Sequence, residues 1–216
     1  MNIEFARSRM IEQQMRTNDV ANPLIINVLQ SMRRDKFVPA IFVDLAFADD
    51  EIPLAHGQCM LRPTMEGKIL QALALQAADK VLEVGTGSGY LTACMARLAA
   101  AVTSIDIYSD FIVTAEKNLA DAGIRNVELQ CMDVLDELPS GHFDAIIVSG
   151  SMREMDERLV AALNPGGRIF AVIGESPAKD AILVTLDAEQ NLQTAQLFET
   201  DLPALVNATE KPAFLF

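Results

Sequence analysis

Three glycines in "VLEVGTGSGY", Gly85, Gly87 and Gly89, are spaced G-x-G-x-G directly after an apolar run. A backbone without Cβ atoms turns tightly there and lets a ligand come close. A helix start behind such a turn offers amide donors and a positive dipole, suited to a carboxylate or phosphate. The spacing is not the G-x-G-x-x-G of a dinucleotide site. Glu83 stands two residues before the first glycine. A carboxylate there repels a pyrophosphate but suits an ammonium group. Asp106 ends the next apolar run, in "SIDI", where an acid accepts from ribose hydroxyls. Asp133 follows a third run and is placed to meet an adenine amino group. A ligand with ammonium, carboxylate, ribose and adenine is S-adenosylmethionine.

A second stretch, "HGQCMLRPTMEG" at residues 56–67, gathers His56, Cys59 and Arg62 just before Pro63. Arg62 is able to hold a carboxylate through two parallel bonds, and Cys59 offers a weak donor. These two are the candidate catalytic residues. Their alternatives are a surface cation and a small buried hydrophobe. His56 suits a local structural hydrogen bond.

These groups need a scaffold. From Lys80 the chain alternates "KVLEVG", "AVTSIDI", "NVELQC", "FDAIIVSG" and "RIFAVIG" as strands with helical stretches between. Among the helices, "SDFIVTAEKNLADAG" has Ser109 as cap and Gly123 as stop. "MREMDERLVAALNPGG" reads as another, ended by Asn-Pro-Gly-Gly. Such alternation implies parallel βαβ units with both sheet faces covered. "AILVTLD" and "LQTAQLFET", joined at "AEQN", form a hairpin on one edge. The fold class is α/β, a doubly wound, mostly parallel seven-stranded sheet with an N-terminal helical extension.

That extension shows Phe5, Met10, Ile11 and Met15 near helical spacing. Asn22 and Pro23 mark a helix start. Pro63 opens a helix with Met65, Ile69, Leu70 and Leu73 on one face. Pro39 and Pro53 break the stretch between them. The expected division is residues 1–78, a helical and acceptor-site segment packed on the core, and 79–216, the ligand-binding α/β core with its C-terminal strands.

The chain has 216 residues, half of them hydrophobic, and a net charge of −13. That length suits one domain with a small extension. The charge disfavours nucleic acid and anionic membrane as partners. Three cysteines without a CxxC give neither a disulfide framework nor a metal site. With no apolar signal core at the start, a cytoplasmic location is expected.

Residues 80 to about 175 resemble the class I S-adenosylmethionine-dependent methyltransferases through the glycine loop, its flanking acids and "LNPGGRIFAVIG". A wider set resembles the protein-L-isoaspartate O-methyltransferase family: "RMIEQQMR", "RDKFVP", "LAFADDEIPLAHGQ", "VLEVGTGSGYLTA" and "FDAIIVSGSM". The resemblance implies cofactor contacts at Gly85, Thr86, Gly87, Ser88, Asp106 and Asp133, with Gly89, Ile107 and Val134 beside them, and no metal. The family usually has glutamate where Asp106 stands. Its motif after His-Gly-Gln is Thr-Ile-Ser-x-Pro. Here Cys59 replaces the threonine, and Leu61 replaces the active-site serine. The tail "ETDLPALVNATEKPAFLF" also departs from the family's substrate-holding segment.

The implied reaction methylates the α-carboxylate of isoaspartyl residues in damaged peptides or proteins. A carboxylate has a pKa of about 4 and needs no base to ionise it at neutral pH. Proximity and alignment, worth roughly 7–11 kcal/mol in ideal cases, are what a protein adds. A serine hydroxyl would orient the carboxylate, and leucine does not. The sequence therefore leaves three options open: isoaspartyl methylation, methylation of another acceptor such as a small molecule, or cofactor binding without catalysis.

Overall fold

Apolar strands and amphipathic helices from Lys80 onward assemble into one seven-stranded sheet in the computed structural model, which describes residues 3–208. Its strands are β3 (Lys80–Val84), β4 (Ala101–Asp106), β5 (Val127–Cys131), β6 (Phe143–Met152), β7 (Leu163–Glu175), β8 (Ala178–Leu186) and β9 (Leu192–Thr200). The order is β5-β4-β3-β6-β7-β8-β9. The first five run parallel, and β8 and β9 add antiparallel at the β7 edge. The hairpin expected at "AEQN" is present, with Asp187 Oδ1 accepting from the Asn191 amide at 2.7 Å. A separate ribbon pairs β1 (Ile52–Pro53) with β2 (Cys59–Met60).

Strand order reverses between β3 and β6, which opens a crevice beyond their C-terminal ends. In open α/β sheets, ligands bind at such a switch point. Alternate residues of the buried strands serve two cores. Val81, Ile147, Phe170 and Val172 face one, with Met60, Leu61 and the helices α2 (Pro23–Ser31), α3 (Pro63–Leu73) and α4 (Tyr90–Ala96). Leu82, Val84, Ile146 and Val148 face the other, with Leu159 of α6 (Glu157–Ala161).

The start signals act as expected at two helices. The Asn22 side chain accepts from the Leu24 amide at 2.9 Å, and Pro23 follows it. Pro63 opens α3, which buries Ile69, Leu70 and Leu73. At the N-terminus, α1 (Ile3–Arg9) passes into a π-type stretch, Met10–Met15. Phe5 is exposed, while Met10, Ile11 and Met15 are buried.

Three expectations need correction. Ser109 is the first residue of α5 (Ser109–Asp121) rather than its cap; Tyr108 takes the cap position, and its carbonyl accepts from the Phe111 amide. The long helix expected from Met152 shrinks to the five residues of α6. Backbone pairing takes what helix would have used: Ser151 and Met152 extend β6 by pairing with Val172 and Ile173. Asn-Pro-Gly-Gly belongs to β7, where the register shifts between the Phe143 and Ala145 pairings.

Arg168 on β7 ties the N-terminal helices to the sheet. Its guanidinium donates to the carbonyls of Leu73 and Ala74 at the end of α3, and to Asp79 at 2.6 Å. No helix among the described residues is long and apolar enough to cross a membrane. Of the tail, residues 199–208 are described; the remainder of that expectation, 209–216, lies outside the described residues.

Candidate functional site

The turn Gly85–Gly89 leads from β3 into α4 at the switch point. Gly85 has φ +99, and a Cβ there would stand 3.1 Å from the Ser149 Cβ. Gly89 has φ +80 and lies against Ala115 of α5, 3.0 Å from any Cβ it carried. Only glycine meets both demands without strain.

The loop differs from expectation in one respect. Its amides are largely spent inside the protein. Gly85 and Thr86 donate to the Ile105 carbonyl, Gly89 to Thr86, and Gly87 to Asp106 Oδ2 at 2.9 Å. The turn therefore offers shape rather than a ring of free donors.

Glu83 is fully buried. Its Oε2 accepts from Thr92 and, at 2.6 Å, from Ser104, which also meets Thr86 Oγ1. Its Oε1 is buried and has no partner among the described residues. Burial pushes the carboxyl up to about 8, against the pull of those hydroxyls. A buried acid with one free oxygen in a cleft calls for a cation.

Asp106 accepts from the amides of Gly87 and Tyr108, so it fastens the loop to β4. Burial raises its pKa despite these bonds. Each oxygen retains acceptor capacity. Asp133 accepts from the Leu135 amide at 2.9 Å and from Asn207 Nδ2 at 2.7 Å.

One cleft joins these groups. Glu83, Gly85, Thr86, Gly87, Ser88, Asp106, Ile107, Asp133 and Val134 line it, as do Cys59 and Leu61. Gly89 is behind the wall and Arg62 outside it. Arg62, with its side chain 56% exposed, lies 3.8 Å from Glu51. The Cys59 thiol faces the same acid at 3.6 Å, and burial together with Glu51 pushes it up to about 11. At neutral pH it is a thiol, not a nucleophile.

Sequence reasoning missed four parts of the wall. Glu66 and Tyr90 looked like ordinary helix residues. Glu66 pairs with the buried Arg34 at 3.0 Å, whose guanidinium also stands 5.4 Å from the Tyr90 ring centre. Burial drives the Glu66 carboxyl up to about 7 although Arg34 pulls it down. Ser149 closes the apolar run "FDAIIV", a strand-end position that was a usable signal. The segment Leu202–Val206 also lines the cleft; the sequence marked this tail only by its departure from the family's substrate-holding segment. It is held by Ser151, whose amide donates to Pro203 and whose carbonyl accepts from Leu205. His56 takes the structural role: Nε2 meets Asp110 at 3.0 Å, and the ring stacks on Tyr108 at 4.0 Å.

The family described as protein-L-isoaspartate(D-aspartate) O-methyltransferase matches residues 6–209. The chain belongs to that methyltransferase family. A protein-L-isoaspartate O-methyltransferase of Koribacter versatilis is 31% identical over 212 residues, covering 96% of this chain and 94% of the relative. One from Rhodopseudomonas palustris is 31% identical over 202 residues, covering 93% and 82%. A Plasmodium falciparum crystal structure, described as a family enzyme in complex with S-adenosyl-L-homocysteine, superposes with a TM-score of 0.79 at 21% identity, covering 95% of this methyltransferase and 98% of its own chain. That likeness establishes the shared fold.

Proposed function

We propose that this methyltransferase transfers the methyl group of S-adenosylmethionine to the α-carboxylate of isoaspartyl residues in damaged proteins. The observation that carries the co-substrate is the free, buried Oε1 of Glu83 beside Gly85 in the cleft. An amino-acid ammonium completes it. Asp106 retains lone pairs for ribose hydroxyls, and Asp133 with Val134 and Ile107 suits the adenine end. The carboxylate acceptor is supported by the family match over residues 6–209.

S-Adenosylmethionine, when bound, supplies an electrophilic methyl carbon on a sulfonium leaving group. The protein's own work is to bind, orient and exclude water. Met60, Leu61 and Leu91 present apolar surface on the side of the cleft nearest the acceptor segment. An isoaspartyl carboxylate enters already ionised, so no residue needs to take its proton. Arg62, at the rim with Glu51, is a candidate to attract that carboxylate. Cys59 stays a weak donor at the wall.

The test is formation of a base-labile methyl ester on a synthetic isoaspartyl peptide by purified protein. Cofactor binding without ester formation would count against the acceptor. A second reading keeps the co-substrate and changes the acceptor to a less polar molecule. Leu61, 7% exposed and lining the cleft where the family has a serine, favours it. Formation of S-adenosylhomocysteine with a small-molecule fraction, and none with the isoaspartyl peptide, would establish it.

A further inference from the structure

The register pairs Val84 of β3 with Val148 of β6, so Gly85 and Ser149 are the next neighbours across the switch-point crevice. The β6–β7 register shifts between Ile147 and Ser151, so plain alternation does not set the direction of Ser149. Its Cβ lies 3.1 Å from where a Cβ on Gly85 would stand, and the residue lines the same cleft as Met60 and Leu61.

Among the described residues, three side-chain oxygens lining the cleft are buried without a hydrogen-bond partner: Glu83 Oε1, Tyr90 Oη and Ser149 Oγ. A buried polar atom of this kind is costly and is retained where a ligand completes it. The three are not equivalent. Glu83 accepts only, and takes a cation. Tyr90 sits against the buried Arg34–Glu66 pair, on the wall set by α3 and α4 rather than at the strand ends. Ser149 is a neutral donor, and its Cβ is only 3.1 Å from where a side chain on Gly85 would begin.

We propose that Ser149 orients the acceptor carboxylate, donating its hydroxyl hydrogen to one carboxylate oxygen in place of the hydroxyl missing at Leu61. The proposal rests on the acceptor assignment above. Ser149 keeps its proton and forms no bond to the transferred group. It lets the acceptor be gripped from the strand end while Leu61 supplies an apolar wall opposite. The site then reads a carboxylate by a donor on a rigid element rather than on the loop after His56.

The experiment compares wild type, Ser149→Ala, Leu61→Ser and the double variant. Two quantities are measured: methyl-ester formation on a synthetic isoaspartyl peptide, and calorimetric binding of S-adenosylhomocysteine and then of the peptide to the loaded protein. Ser149→Ala is expected to lower both kcat/KM and peptide affinity by about 10- to 100-fold, the range for a hydrogen bond to a charged group. S-Adenosylhomocysteine affinity stays within about two-fold, since the co-substrate contacts are untouched. Adding Leu61→Ser to Ser149→Ala restores at least part of the peptide activity. Unchanged peptide kinetics in Ser149→Ala overturn the proposal. So does a loss confined to S-adenosylhomocysteine binding, which would give the hydroxyl to the co-substrate. Wild-type protein that binds S-adenosylhomocysteine but neither binds nor methylates the peptide removes the acceptor assignment and this proposal with it. A defect in the variant alone keeps the two separable.

Discussion

Arg34 Nη2 donates to the main-chain oxygen of Leu61 at 2.5 Å. Its other donors reach Glu66 and the Ala46 carbonyl. The backbone at the family's serine position is thus fixed by a residue far away in sequence, whatever side chain position 61 carries. The loss of the hydroxyl leaves the local path of the chain intact. Arg34→Ala is expected to destabilise the protein by about 3–5 kcal/mol, because it strands the Glu66 carboxylate and two carbonyls. Arg34→Met with Glu66→Leu should recover much of that. Urea unfolding of the three proteins is the measurement, and equal loss in both variants would refute the pairing.

With Glu83 as the proposed partner of the amine, co-substrate binding is expected to be proton-linked. The Glu83 carboxyl, pushed up to about 8, is mostly neutral at pH 6.5 in the ligand-free protein. An ammonium partner draws it back to the ionised form. Binding of S-adenosylhomocysteine at pH 6.5 should therefore release close to one proton, and the release should shrink as pH approaches 8. The sign for stability is opposite to that of a salt-bridged acid. A carboxyl raised on folding stabilises fully below its unfolded value and loses that contribution as pH rises through about 8. Calorimetry in buffers of different ionisation enthalpy counts the protons. Glu83→Gln should abolish the release, and an unchanged count would rule out this site for the amine.

The tail depends on a small residue in β6. A Cβ on Gly150 would meet Leu205 Cδ2 at 2.7 Å and the Leu205 amide nitrogen at 3.1 Å. Gly150→Val should unseat Leu202–Leu205 at a cost of about 1–3 kcal/mol. The expected readouts are faster proteolysis after Thr200 and weaker S-adenosylhomocysteine binding. Wild-type affinity in a variant with an exposed tail would show that the far wall is dispensable.

Arg62 should matter little to stability. Its contact with Glu51 is exposed and long, and such pairs contribute about 0–1 kcal/mol. Arg62→Ala is expected to unfold at nearly the wild-type urea midpoint with unaltered S-adenosylhomocysteine affinity. A ten-fold or larger fall in kcat/KM for an isoaspartyl peptide would place Arg62 at the acceptor.

The residues that gather at the glycine turn were legible in sequence because their determinants are local. A strand end, three glycines and an acid two residues upstream sit within "VLEVGTGSGY", and their geometry follows from backbone rules. Asp106 and Asp133 were legible for the same reason, each closing an apolar run. The acceptor side was not. Arg34 meets Leu61 through the packing of three segments, and Ser149 meets Gly85 only once the order of strands is known. The short α6 was misread because the apolar spacing of "MDERLVAAL" suits a helix, whereas pairing partners on β7 and the tail decide where β6 ends. Asn207 reaching Asp133 is a tertiary accident of tail path that no spacing rule encodes.

The bond from Arg168 to the end of α3 joins parts of the chain that are synthesised at different times. The apolar faces of residues 10–75 are buried against Ala145, Ile147, Phe170 and Val172, all of which leave the ribosome later. At roughly 5–20 residues per second, the amino-terminal third waits several seconds for its partners. During that interval the Met, Ile and Leu side chains of this segment lack the strands that later bury them.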